Sequence, residues 1–169
     1  MQEDVAHYFY HGNHSILQVA HRNIKAKSVT FFFWEYLFII ARDDDKLQNL
    51  SDFKNIDVGP RHSGTEFTSQ NVQNLLQLDW KILHTKNLEE KKKLFKAKKL
   101  DAMIVLVPNI DNLLKDLKKS GIKVKLMGFT PTQIATITAS PFYHENTVQC
   151  LEGKKIVTIA TRSLLAVHS

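Results

Sequence analysis

From residue 50 to residue 127, short apolar runs alternate with amphipathic stretches of helical length, joined by only a few residues. Residues 56–59 read as a strand and 65–78 as a helix, with Phe67, Val72, Leu75 and Leu76 near helical spacing. Residues 81–85 form the next predicted strand, and 88–99 an amphipathic helix in which Glu89 is placed to pair with Lys93. The run Leu-Asp-Ala-Met-Ile-Val-Leu-Val at 100–107 has the length and character of a strand covered on both faces. Ile110, Leu113, Leu114 and Leu117 then give a helical stripe, Gly121 ends it, and 122–127 is another strand. A chain with this alternation is expected to form parallel strands with right-handed crossovers, hence an α/β fold with a largely parallel sheet flanked by helices. In such sheets ligands meet the carboxyl ends of strands, where helices begin.

The two ends are less regular. Residues 1–27 are polar and histidine-rich, with a helix expected over 5–10; residues 28–42 read as one long bent strand or two short ones. Residues 141–154 read as a loop and 156–167 as an extended segment. The apolar run 29–41 is too short to cross a bilayer and contains Glu35, so it belongs to a core. With 169 residues, 43% hydrophobic and 24% charged, the chain suffices for one globular domain and is neither disordered nor fibrous. Phe31, Phe32, Phe33, Trp34 and Phe38 are many aromatics for such a core, which predicts a homodimer or exposed apolar surface. The net charge of +6 arises largely from lysines on two predicted helices, around Lys91–Lys99 and Lys115–Lys119. Lysine-rich helix faces are ordinarily solvated, and no nucleic-acid motif accompanies them, so no nucleic-acid partner is expected.

Residues 56–66, Ile-Asp-Val-Gly-Pro-Arg-His-Ser-Gly-Thr-Glu, place a strand directly before a helix start. Such a joint gathers unpaired N–H groups and the positive end of a helix dipole, the local chemistry of a carboxylate or phosphate site. Ser63-Gly64-Thr65-Glu66 also has a simpler reading as a capping box, the Ser63 oxygen accepting from Glu66 N–H and the Glu66 carboxylate from Ser63 N–H. Gly64 permits close approach, Thr65 adds a hydroxyl, and Arg61 with His62 adds positive charge. Glu66 would repel an anion, a repulsion that Arg61 is placed to offset. Pro108 and Asn109 open the helix after the most apolar strand and occupy the equivalent position. Glu35 in its apolar run either faces solvent at a bend or lines a cleft.

Other residues are weaker candidates. His7 and His11 share a helical spacing and His14 follows, but no recognised metal pattern is completed; no metal site and no cofactor are expected. Cys150 is the sole cysteine, which excludes an intrachain disulfide, and it has no neighbouring histidine in sequence to activate it.

Taken in order along the chain, these segments resemble the TAXI-family solute-binding receptors of TRAP transporters. The likeness is carried by Gln2-Glu3-Asp4-Val5-Ala6 with Tyr10-His11-Gly12, by Phe33-Trp34-Glu35-Tyr36-Leu37 and by Leu50-Ser51-Asp52-Phe53-Lys54. Its most specific motif runs from Val58-Gly59-Pro60 through Ser63-Gly64-Thr65-Glu66; Leu100-Asp101-Ala102, Pro108-Asn109 and Pro141-Phe142-Tyr143 continue it. Trp34 stands where that family tends to have proline.

The resemblance implies one lobe of the type II periplasmic-binding-protein fold, with parts of the other lobe missing or incomplete at both ends. Residues 1–42 would be a connecting segment with inter-lobe strands, and 43–169 the α/β solute-binding lobe. Ser63, Gly64 and Thr65 would donate to the solute, and Glu35 and Tyr36 would lie near the cleft. It further implies a non-enzymatic receptor for a small carboxylate-bearing solute, located outside the cytoplasm and partnered with a TRAP membrane permease. The chain would start after an export signal and a glycine-rich stretch of the first lobe, and half a clamp would bind weakly. The alternative of another class is a regulatory or sensor domain using the same lobe. An enzyme on the related scaffold is disfavoured because no grouping of acid, base and nucleophile is evident.

Overall fold

Aromatic and β-branched residues dominate the stretch before residue 42, and such side chains favour the extended backbone. In the computed structural model, which describes residues 8–11, 26–150 and 153–168, they form one 17-residue strand, β2 (Ala26–Arg42). Its first half pairs antiparallel with β8 (Lys155–His168), which in turn pairs with β1 (Tyr8–His11). The β2–β8 register slips between Ser28 and Thr30 and again between Phe31 and Phe33. Irregularities of this kind bend and twist a strand, so the single bent strand is the correct alternative for this segment.

The second half of β2 enters the α/β region. After a short 3-10 turn (Leu50–Asp52) come β3 (Asn55–Asp57), α1 (Gly64–Leu75), β4 (Lys81–Leu83), α2 (Leu88–Lys96) and β5 (Ala102–Val107). Then follow α3 (Asp111–Lys119), β6 (Val124–Met127), α4 (Pro131–Thr138) and β7 (His144–Gln149). Among the described residues the strands form one sheet in the order β1-β8-β2-β5-β3-β4, with β6 also pairing with β2 and β7 with β8. β3, β4 and β5 are parallel, while β2 runs against β5, β6 and β8. The expected strand–helix repetition is therefore present within a mixed sheet, in which β2 runs antiparallel at the centre and β1 and β7 run antiparallel to β8.

Alternation along the strands distributes side chains to two cores. Leu37, Ile39, Ile56 and Ile104 face α1 and α4 through Val72 and Ile137; Phe38, Ile40 and Met103 face α2 and α3 through Phe95 and Leu117. Leu37, Phe38, Ile39, Ile40 and Ala41 are all 0% exposed, as a strand covered on both faces requires.

Several expectations are corrected. Tyr8–His11 is strand, not helix, because it pairs with residues 163–166 at the far end of the chain, a contact that local pattern does not reveal; residues 5–7 lie outside the described residues. Residues 144–149, expected as loop, form the edge strand β7. The helix α4 was not anticipated, although Thr130, Pro131 and Gln133 give it a capping box with proline in its first turn. Glu89 pairs with Lys92, not Lys93: the Lys92 ammonium lies 2.8 Å from Glu89 and 2.8 Å from Asp116, tying α2 to α3. Asp116 first, then Glu89, holds that ammonium above its ordinary pKa. Of the five aromatics, Phe31 and Phe32 have side chains outside the described ones, Phe38 is buried and Phe33 and Trp34 are half-buried; among the described side chains Leu75 is the one large hydrophobic residue exposed.

Phe38 is fully enclosed between the central strand and the α2–α3 layer. Phe38→Ala is expected to lower unfolding free energy in urea by about 3–5 kcal/mol, and Phe38→Leu by clearly less, because the cavity term scales with the volume left empty.

Candidate functional site

The strand directions gather the candidate residues at one edge of the sheet. β3, β4 and β5 all end there, followed by the Gly59–Ser63 joint, by His84 and Thr85, and by Pro108 and Asn109. β2 arrives at the same level from the opposite direction, with Tyr36 opposite Val107, the last residue of β5, and Glu35 one position further out. Strand β1, beyond β8, also approaches α1.

The joint between β3 and α1 is organised by Asp57, a carboxylate with 0% exposure. Its Oδ1 accepts from Thr85 N–H at 2.8 Å, and its Oδ2 accepts from Gly59 N–H at 3.1 Å and from the Lys91 ammonium of α2. Gly59 takes φ +75, a conformation glycine adopts without steric cost, and a Cβ there would stand 3.9 Å from Lys91 Nζ. The Gly59 amide is therefore already committed to the protein. His62 takes φ +64, uncommon for a residue with a Cβ. Its N–H donates to Glu66 Oε2, which holds the turn in place.

The capping interaction at α1 is present in altered form. Ser63 Oγ accepts from Glu66 N–H at 3.1 Å as expected, but the Glu66 carboxylate caps His62 N–H in place of Ser63 N–H, because the left-handed turn aims the His62 amide back at the helix. Phe67 N–H donates to the Ser63 carbonyl, the first bond of the helix ladder. Among the described residues no acceptor meets the N–H groups of Gly64 and Thr65. Gly64 is buried beneath the joint and Ser63 and Thr65 are half-exposed at its lip. Arg61 and His62 are exposed. The side chain recorded against Glu66 is not Arg61, which is exposed, but His84, whose Nε2 lies 3.3 Å from Glu66 Oε1.

The remaining candidates border this joint in different ways. Asn109 Oδ1 accepts from Asp111 N–H at 2.8 Å and so serves the start of α3, and Pro108 is exposed beside it. Glu35 and Tyr36, adjacent in sequence, point to opposite faces of the sheet. Tyr36 packs edge-on against Phe38, with ring centres 6.4 Å apart, on the α2–α3 side. Glu35 lies on the α1–α4 side opposite Thr161, is 2% exposed and has a partner, so its solvent-facing reading is excluded. Asp57, His84, Thr85 and Lys91 were missed as site residues. The single clue was an acidic residue inside the strand preceding the glycine, which requires a buried partner.

Elsewhere the chemistry is structural. Burial pushes the Cys150 thiol above its ordinary pKa, the opposite of an activated nucleophile. Burial likewise raises Tyr143, whose hydroxyl accepts from Asn71 at 3.2 Å. Of His7, His11 and His14 only His11 lies among the described residues, and these contain no cluster of three metal-ligating side chains. A groove of about 330 Å³ beside α4, floored by Phe129, Ile134 and Val157 with Glu145 at its rim, contains none of the joint residues. Its apolar lining and single carboxylate do not suit an anion.

This sheet order, with helices on both faces and the helix starts collected at one edge, is that of a type II periplasmic-binding-protein lobe. The chain belongs to the NMT1-like family, whose model matches residues 1–169. Among solved structures, a putative L-cystine ABC transporter from Listeria monocytogenes is 11% identical with a TM-score of 0.55, the match covering 95% of this chain and 54% of that one. The probable amino-acid ABC transporter extracellular-binding protein ytmK from Bacillus subtilis is 13% identical with a TM-score of 0.51, over 86% and 51% of the two chains. At these identities the likeness shows the fold alone, and this chain spans about half the length of either structure. Comparison with curated proteins gives no match.

Asp57→Asn is expected to destabilise the chain by about 3–5 kcal/mol, since it leaves the Lys91 ammonium unpaired beside a buried amide group. Asp57→Asn combined with Lys91→Met is expected to recover much of that loss, as read by urea unfolding of the two variants.

Proposed function

We propose that the chain is a solute-binding lobe that holds a carboxylate of a small solute at the start of α1. The observation that carries the reading is that, among the described residues, no acceptor fills the N–H groups of Gly64 and Thr65, on a helix start at the carboxyl edge of the parallel strands. Anions are stabilised at such a point by the donors and by the helix dipole together. The Ser63 and Thr65 hydroxyls supply further donors, and exposed Arg61 adds positive potential. Pro108 and Asn109 are exposed on the same edge and would contact the remainder of the solute, while Glu35, buried, and Tyr36, packed on Phe38, would support the edge from beneath.

Amino acids are the first solute class to test, since the two structural relatives carry amino-acid transport in their names. The role is binding and not catalysis: Asp57, Lys91, Glu66 and His84, the ionisable groups packed around the joint, are engaged with one another. By the resemblance of its motifs to TAXI receptors, the lobe would act outside the cytoplasm with a TRAP-type membrane permease. One lobe leaves much of a solute in water, so affinity is expected in the range of about 0.1–10 mM.

Isothermal titration with amino acids and dicarboxylates checks this reading. Thr65→Ala and Arg61→Ala should each weaken the best binder by roughly 2- to 10-fold, the Arg61 effect shrinking as salt is added. Binding that neither substitution alters would reject the site.

A further inference from the structure

The positive charge of the chain is concentrated in one layer of the fold. Residues 86–125 hold twelve lysines, no arginine and five carboxylates, whereas the rest of the chain holds eleven basic and twelve acidic residues. In this layer α2 and α3 lie side by side, joined where the Lys92 ammonium meets Glu89 of α2 and Asp116 of α3. Lys93 and Lys96 on α2, three apart, share one helix face, and Lys115 and Lys119 on α3, four apart, share another. These four, with Lys99 and Lys123 just beyond the two helices, are exposed and make no ion pair among the described residues.

The acids of the region do not neutralise this face. Glu89 and Asp116 are taken by Lys92, Glu90 accepts from the Lys86 amide, and Asp101 accepts from the Lys54 and Asn55 amides. Asp111 lies in the first turn of α3, at the opposite end from Lys119. The Asp43 amide donates to the Lys123 carbonyl, so the acidic turn at 43–45 marks one border of the lysine face, and within that turn Asp44 pairs with Arg42. A cation in the last turn complements a helix dipole, and Lys96 and Lys119 serve that purpose. Lys99, Lys115 and Lys123 lie outside the last turns and exceed it.

We propose that this face docks on a lipid surface carrying negative headgroups. Ammonium groups are hydrated point charges that gain from a diffuse field without fixed geometry, whereas nucleic-acid recognition draws on arginine forks and stacked aromatics. The region has no arginine, and its single aromatic residue, Phe95, is buried. Strand directions set the orientation. β3, β4, β5 and β6 run parallel to one another, so α2 and α3 return toward the amino ends of the strands. Their lysine-rich C-terminal halves therefore stand at the opposite edge from the Gly59–Ser63 joint, which faces away from the lipid when the face is docked. Docking requires nothing of the solute reading and holds for a lobe of any specificity.

The test mixes the full chain with vesicles of phosphatidylcholine, alone or with about one-third phosphatidylglycerol, and reads the bound fraction by sedimentation. Binding is expected on the anionic vesicles only, and it should disappear as salt rises from about 0.05 to 0.5 M. Lys93→Gln, Lys96→Gln and Lys119→Gln together should weaken partitioning about 10- to 100-fold. The same charge removed elsewhere, by Lys81→Gln, Lys154→Gln and Lys155→Gln, should weaken it only about 2- to 3-fold. All six positions are exposed, so both triple variants should unfold at the parent's urea midpoint. Equal losses in the two triple variants would reduce the effect to net charge and overturn the proposal. Equal binding to neutral vesicles, or none to the anionic ones at low salt, overturns it as well. An oligonucleotide or polyglutamate captured more tightly than the anionic vesicles in the same buffer overturns the assignment to lipid.

Discussion

The buried carboxylate of Asp57 is the constraint on which the candidate site depends. It sits at the end of β3 with no exposure, and such a charge is tolerated only when its oxygens are filled. They are filled from three directions: the Gly59 amide on the joint, the Thr85 amide after β4, and the Lys91 ammonium on α2. These contacts fix where the chain leaves the sheet and where α1 begins. They also consume the first amide that an anion could have used. A helix start can serve a guest only at donors its own caps leave unfilled, and among the described residues Gly64 and Thr65 are two of these.

A second constraint is the long strand β2. Its central residues are covered on both faces, and its antiparallel course beside β5 sets the sheet order around it. The same strand carries Glu35 and Tyr36 to the edge where β3, β4 and β5 end, while its other half extends into the ribbon with β8 and β1. One strand therefore joins the β5–β3–β4 part of the sheet to the β8–β1 part. Fold and site are coupled because the strand registers, and not any loop, decide which joints stand side by side.

Much of the architecture was legible because its signals are local. The stripe of Ile110, Leu113, Leu114 and Leu117, the apolar run ending at Val107, and Ser63 before α1 each declare an element within a dozen residues. What escaped was non-local. Tyr8–His11 is a strand only because β8 lies beside it, and His144–Gln149 pairs along Lys155–Ala160 in spite of a polar composition. The Glu89 partner depended on α3 supplying Asp116 to the same lysine. In the site, the serine cap was visible in the motif, whereas the partner of the Glu66 carboxylate depended on the left-handed turn at His62.

The sequence by itself determined the layering of helices on a sheet with a parallel β3–β4–β5 part and the place of a helix start after Gly59, because periodicity and capping act over a few residues. Tertiary structure alone decided which donors at that start remain open and how its charges balance. Asp57, Glu66 and Lys91 come from β3, α1 and α2 and His84 follows β4, so they come within reach of one joint only after β3 and β4 pair. Hydrogen bonding and charge depend on distance in space, and the pairing of two strands 25 residues apart at His84 and Gly59 is what brought that distance to 3.0 Å.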